Sequence, residues 1–250
     1  MTASLAARGG SALLSLKQPS LKLTDTTVYY LYRPVMRATR RRRIRRFWHD
    51  CRVGENSSVS DAGGTMYFWN LARSLGLAMP RHIVIVNPKV KATKFHPTGA
   101  ILMNGDARDL RGFHPCQLDI AFSNSVIEHL GDREGQQKMA REMRRIARTY
   151  WVRTPDPRFP VEPHYLFPAI HWFPKHWQRR IVPLTLWNTL KKPDDDEISA
   201  RIAELRLVGR QEMGELFPDG RLIVERYLGW PESLIATNSD VKLAQDCGIL

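Results

Sequence analysis

Four polar residues stand where apolar runs end: Asp61 after Val59-Ser60, Asn87 after Ile83-Val84-Ile85-Val86, Asp106 soon after Ile101-Leu102-Met103, and Asn124 after Ile120-Ala121-Phe122-Ser123. A carboxylate at a strand end can hold a cation or hydroxyl groups. The glycines of Asp61-Ala62-Gly63-Gly64-Thr65 permit positive φ and close approach of a ligand to the backbone. Taken alone, such a turn is equally an ordinary strand-to-helix loop. Polar strand ends on one edge of an open α/β sheet would instead converge on a single crevice.

A second group could move protons. His129, Asp156, Glu162 and His164 are the candidates, the last three within Thr154-Pro155-Asp156-Pro157-Arg158-Phe159-Pro160-Val161-Glu162-Pro163-His164. A positioned base speeds reaction of an oxygen nucleophile by about 10²–10⁴-fold. His164 is the expected base, with Glu162 orienting it; the competing role is an imidazole that caps a turn. For His129 the competing role is contact with the helix that follows or with a cofactor's edge. His171 and His176, among Trp172 and Trp177, could line the same pocket. Their spacing supports no metal site.

These residues need a scaffold with parallel strands. A short strand to Asp61 turns through the glycines into a helix from Met66 to Leu75. His82–Asn87 and Ile101–Asn104 read as strands, the first being a continuous apolar run expected of a strand buried on both faces. Asp119–Phe122 makes a fourth strand. Met139, Met143, Ile146 and Ala147 recur at helical spacing between Asp132 and Arg148, and Thr149–Thr154 makes a fifth strand. Residues 155–197 break the alternation with eight prolines and many aromatics, either as a cover over a substrate or as a second hydrophobic layer. Helices at 198–207 and 212–217 precede two strands, 221–228 and 233–237, whose short Gly-Trp-Pro connection makes them antiparallel. The expectation is a doubly wound, Rossmann-like sheet of seven strands, mostly parallel, with an antiparallel hairpin at the C-terminus.

Charge divides the chain. Of a net +13, residues 1–53 contribute +10, so residues 54–240 read as a nearly neutral body, 1–53 as a basic arm, partly disordered or helical, and 241–250 as a tail. Between Val28 and Trp48 aromatic and apolar residues interleave with Arg40–Arg43 and Arg45–Arg46, as in a basic amphipathic helix. It would pack on the body, meet an anionic membrane surface or bind RNA phosphates. Cys51, Cys116 and Cys247 are odd in number and lack C-x-x-C spacing, which argues against a disulfide framework and a structural zinc site. No apolar run is long enough to span a membrane. Together these suggest a cytoplasmic protein, with peripheral membrane contact through residues 28–53 as one option.

The order of elements resembles the class I S-adenosylmethionine-dependent methyltransferases, of the methyltransferase type 11 kind, over about residues 55–238. Asp61-Ala62-Gly63-Gly64-Thr65 matches the glycine motif and Gly105-Asp106-Ala107 the adenine-side motif. Phe122-Ser123-Asn124-Ser125-Val126-Ile127-Glu128-His129-Leu130 matches the fourth-strand motif, whose usual form ends in Glu-His. The Pro-His segment ending at His164 is similar to a loop that lies over the acceptor site in bacterial members.

The resemblance implies S-adenosylmethionine as cofactor, with Asp61, Gly63 and Gly64 at its methionine part, Asp106 and Ala107 at the adenine, Asn87 at the ribose and Asn124 beside them. It implies methyl transfer to an oxygen or nitrogen of a small-molecule, glycan or lipid-linked acceptor. Alternatives are an RNA acceptor held by the arginine arm, or a binding domain without turnover. Two departures stand out: Asn87 replaces the family's usual acid, leaving one acceptor oxygen for the ribose, and Thr65 stands where a further glycine is common.

Overall fold

A computed structural model describes residues 39–91, 93–96, 98–162, 164–165 and 167–240. The expectations for residues 1–38 and the 241–250 tail lie outside the described residues.

The body is one eight-stranded sheet between helical layers. In chain order its strands are β1 (Ser58–Ala62), β2 (His82–Val86), β3 (Lys94–Phe95), β4 (Ile101–Met103), β5 (Leu118–Asn124), β6 (Ala147–Pro155), β9 (Arg221–Tyr227) and β10 (Trp230–Thr237). Their spatial order is β3-β4-β2-β1-β5-β6-β10-β9. Strands β4, β2, β1, β5 and β6 run parallel, with Asp61 beside Ile85 on one side and Phe122 on the other. Strand β10 pairs antiparallel with both β6 and β9. The sheet has eight strands rather than the expected seven because β3, two residues long, adds an antiparallel edge beside β4. So brief an edge has no alternation to reveal it.

Strand side chains alternate between two cores, as the pleat requires. Ala62, Val86, Ala121, Tyr150 and Val152 face the layer of α3 (Arg133–Ile146) and α7 (Arg210–Leu216). Val59, Ile85, Ile120, Phe122 and Trp151 face α2 (Met66–Ser74) and a helix α1 over 39–50. In α3, Met139, Met143 and Ile146 form the buried stripe, and Asp132 caps its first turn by accepting from the Gly135 amide at 2.7 Å.

Helix α1, the described part of the basic arm, packs on the body. Ile44 and Phe47 are fully buried, Phe47 packs on Phe122 at 4.4 Å between ring centroids, and the Trp48 indole donates to the Ala78 carbonyl at 2.8 Å. Arg43, from the middle of the arginine run, is buried and donates to Glu225 at 2.8 Å and to Glu232 at 2.8 and 3.0 Å. The exposed side of α1 carries Arg41, Arg42 and Arg45.

The 155–197 segment folds into a two-strand ribbon, β7 (Val161–Glu162) with β8 (Phe167–Pro168), followed by the short helices α4 (Lys175–Ile181) and α5 (Leu186–Lys191). With α6 (Asp195–Glu204) it encloses its own small core of Tyr165, Ile170, Val182, Ile198 and Ile202. Cys51 is a free thiol while Cys116 is disulfide-bonded, which qualifies the expectation drawn from the odd cysteine count. Among the described residues, no helix is long and apolar enough to cross a membrane.

Candidate active site

Parallel pairing puts the ends of β1, β2, β4, β5 and β6 on one edge of the sheet, so Asp61, Asn87, Asp106, Asn124 and Asp156 share that edge. Each then meets a different fate.

Asp61 is almost wholly buried. The Trp69 indole N–H, from the first turns of α2, donates to Asp61 Oδ2 at 2.8 Å, while Oδ1 is buried without a partner. Burial pushes this carboxyl up to about 7, against the opposing pull of the Trp69 bond. The glycine turn lies directly over it. A Cβ at Gly64 would fall 2.0–2.1 Å from the carboxylate atoms, and Gly63, at φ +81°, would drive one to 2.5 Å from Val126. Only glycines fit between the acid and the loop that follows β5.

Asn87 braces this turn. Its Nδ2 donates to the carbonyls of Gly63 at 3.2 Å and Gly64 at 2.9 Å, and its Oδ1 accepts from the Lys89 amide at 2.9 Å. Both ends of the amide that was expected at a ribose are therefore committed to the protein. Asp106 is half-exposed and held by Arg108, whose Nε lies 3.0 Å from both carboxylate oxygens and whose Nη2 donates at 2.6 Å. The arginine's hydrogen bonds hold its pKa below the usual carboxylate range. An adenine amine would have to share that carboxylate with Arg108. Ala107 is buried in the core, and Asn124 Oδ1 is a second buried acceptor oxygen without a partner. An open groove of about 700 Å³ lies beside Asp106, but its other walls, including Arg111, Lys138, Glu142 and Arg145, belong to outer ion pairs.

The chain that leaves β5 joins this corner to the histidines. Val126, packed on Gly63, leads straight into a 3-10 turn, Ile127–His129. His129 Nε2 lies 2.9 Å from His164 Nε2, the two rings nearly perpendicular. Glu162, at the end of β7, holds His164 from behind: Oε1 is 2.6 Å from His164 Nδ1, and Oε2 accepts the amides of His164 at 2.7 Å and Tyr165 at 2.9 Å. The sequence-predicted His164 and Glu162 are thus brought together, with His129 beside them. Burial depresses His129, reinforced by its charged neighbour His164; His164 is raised because the Glu162 bond and the charges of Glu162 and Glu128 outweigh its own burial.

Asp156 and His171 stand apart from this pair. Asp156 is buried and closes a turn by accepting from the Arg158 amide and guanidinium. His171 Nε2 meets the Pro157 carbonyl at 2.9 Å, and His176 lies on exposed α4 beside Trp177.

Sequence reasoning missed Glu128, Trp69 and Arg153. Glu128 is fully buried, with Oε2 accepting from the Thr154 hydroxyl at 3.1 Å and Oε1 unpartnered. Arg153 donates to Ser125 Oγ at 2.5 Å and Glu232 at 3.2 Å, tying the end of β5 to β10 and, through Glu232, to Arg43. Trp69 sits eight residues after Asp61, and Glu128 lies in the Glu-His end of the fourth-strand motif. Nothing but those positions in the sequence marked them.

No family model matches the chain, and no curated protein matches it significantly. Among solved structures it is similar to an Anabaena variabilis protein described as a methyltransferase from an antibiotic biosynthesis pathway, at 20% identity over 60% of this chain, with a TM-score of 0.41. This chain spans 61% of that protein's length. A SAM-dependent methyltransferase from Aquifex aeolicus is similar at 10% identity, over 78% of this chain and 88% of that one, with a TM-score of 0.45. Burkholderia thailandensis 1,6-didemethyltoxoflavin-N1-methyltransferase, solved with its acceptor and S-adenosylhomocysteine, is similar at 11% identity over 85% and 83% of the two chains, with a TM-score of 0.47. Likenesses this distant assign no activity, and the strand order is the stronger observation. Five parallel strands flanked by a C-terminal hairpin, whose last strand inserts antiparallel between β6 and β9, give this chain a Rossmann-like sheet with the antiparallel hairpin that its resemblance to the class I S-adenosylmethionine-dependent methyltransferases implied.

Proposed function

We propose that this chain transfers a methyl group from S-adenosylmethionine to an oxygen or nitrogen of a small-molecule, glycan or lipid-linked acceptor. The observation that carries the reading is the unpartnered, buried Oδ1 of Asp61 beneath a turn that admits only glycine. A buried acceptor oxygen without a donor is costly, and the ammonium of the cofactor's methionine part is a donor of matching charge. Asn124 Oδ1, two residues beyond the Phe122 that pairs with Asp61, offers a second acceptor on the adjoining strand. The residues therefore fit the cofactor at its methionine end. At the nucleoside end Asp106 and Ala107 are the proposed contacts, while Asn87 holds the glycine turn rigid.

The bound cofactor supplies a methyl group already activated on a sulfonium. What remains for the chain is alignment, a contribution of up to roughly 7–11 kcal/mol, and removal of an acceptor proton. His164 is the proposed base, with Glu162 fixing its ring through Nδ1 and His129 at its Nε2. The exposed Arg41, Arg42 and Arg45 of α1 favour one rival acceptor, RNA, whose binding would weaken steeply with salt.

Calorimetric titration with S-adenosylmethionine, S-adenosylhomocysteine and NAD tests the reading in the wild type and in Asp61→Asn. Heat is expected with both sulfur compounds and none with NAD, and the variant should bind at least ~10-fold more weakly. Absence of heat with either sulfur compound rejects the proposal. Transfer of a labelled methyl group to lipid, small-molecule or RNA fractions then sorts the acceptors.

A further inference from the structure

We propose that Glu128, His129 and His164 form a binding site for one divalent first-row transition cation such as Zn²⁺. The two Nε2 atoms lie 2.9 Å apart, and Glu128 Oε1 is 3.8 Å from that of His164. One donor atom from each residue lies within 4.8 Å of the other two. Bonds of about 2.0–2.2 Å at tetrahedral angles place donors roughly 3.3–3.6 Å from one another, so the two pairs that include His164 need to adjust by roughly half an ångström, and Glu128 and His129, whose donors lie within 4.8 Å, by no more than about 1.5 Å.

The surroundings orient the three groups as ligands. Each imidazole turns its other nitrogen to a carboxylate: His164 Nδ1 to Glu162 Oε1 at 2.6 Å, and His129 Nδ1 to Glu204 Oε1 at 3.4 Å. The Glu162 hydrogen bond keeps the proton on His164 Nδ1 and leaves that ring's Nε2 lone pair free, which is how metal-ligating histidines are held, while Glu204 faces His129 Nδ1 at ion-pair distance. The two Nε2 atoms face the same point, where their lone pairs repel unless a cation lies between them. Independently, Glu128 brings a fully buried carboxylate oxygen that has no hydrogen-bond partner. Two imidazole nitrogens and one carboxylate oxygen suit zinc and its neighbours better than calcium or magnesium, and three protein ligands leave a position open. If the chain is a methyltransferase, that position would take an acceptor hydroxyl and acidify it, replacing His164 as the base.

The competing occupant is a single proton, shared by the rings with His164 as imidazolium. A metal ion would displace it. The sequence could not show the site: Glu128 and His129 are adjacent, and His164 follows 35 residues later on a different element.

The test uses the full chain, stripped of metal by a chelator and titrated with Zn²⁺ alone and with Co²⁺ followed by visible absorption. One equivalent should bind, with release of a proton seen as a dependence of the heat on buffer ionisation. His129→Ala should weaken binding at least ~100-fold, and Glu204→Gln, a change at a half-exposed residue, about 10-fold. Should His129→Ala fail to fold by circular dichroism, Glu204→Gln decides. No Zn²⁺ binding at ~100 μM, or affinity unchanged in the folded variants, overturns the proposal in favour of the proton-bridged pair. No cofactor enters these titrations, so their failure is separate from that of the methyltransferase reading.

Discussion

A carboxylate buried beneath two glycines makes Asp61 both a liability and a sensor. Its folded pKa, about 7, lies above the usual value of 3.8, so the native state favours the protonated acid. The sign follows from linkage: the contribution of Asp61 to stability is greatest below about pH 4, falls as pH rises toward 7, and is level above it. Asp61→Asn removes this loss, and denaturant unfolding at pH 8 should find the variant more stable than the wild type by up to about 4 kcal/mol. Binding runs the other way. A cationic ligand prefers the ionised acid, so affinity for S-adenosylmethionine should rise through pH 6 to 8 and become flat in Asp61→Asn. Titration calorimetry at a series of pH values measures both slopes. At Gly64 the constraint is steric: Gly64→Ala sets a methyl group against the Asp61 carboxylate, and thermal unfolding should show a loss above ~2 kcal/mol.

Helix α1 shows how one element can be a surface and a core at once. Arg41, Arg42, Arg43 and Arg45 are equivalent in the sequence, yet only Arg43 lands opposite Glu225 and Glu232, at the turn of the helix that also buries Ile44 and Phe47. Removing one member of a buried ion-pair cluster leaves the others uncompensated, so Arg43→Ala should cost about 3–5 kcal/mol in urea unfolding. Deleting residues 1–50 should abolish cooperative folding, since Phe47 and Trp48 contact Phe68, Trp69 and Phe122. A truncation that unfolds like the full chain would show that α1 is dispensable. The 155–197 insertion behaves differently: it builds a separate small core, and its ribbon delivers Glu162 and His164 to the turn bearing His129.

At the scale of the whole molecule, charge and fold separate. Replacing Arg41, Arg42 and Arg45 together by Ala removes three of the net +13 charges from exposed positions and should change stability by no more than about 0.5 kcal/mol per site. If RNA is the acceptor, retention on an RNA column should weaken in this variant and its salt slope should flatten. An unchanged slope assigns those charges no such role. By itself the sequence determined the seven main strands, the glycine turn and the polar edge, because strand periodicity, breaker residues and short connections are local signals. It also placed Glu162 behind His164, two residues away. Only the tertiary structure decided which arginine is buried, that Asn87 braces the turn, and that Trp69 holds Asp61. The same is true of the meeting of Glu128, His129 and His164. Those outcomes depend on residues distant in the chain arriving on neighbouring elements, and burial and partner identity arise only when the sheet brings them together.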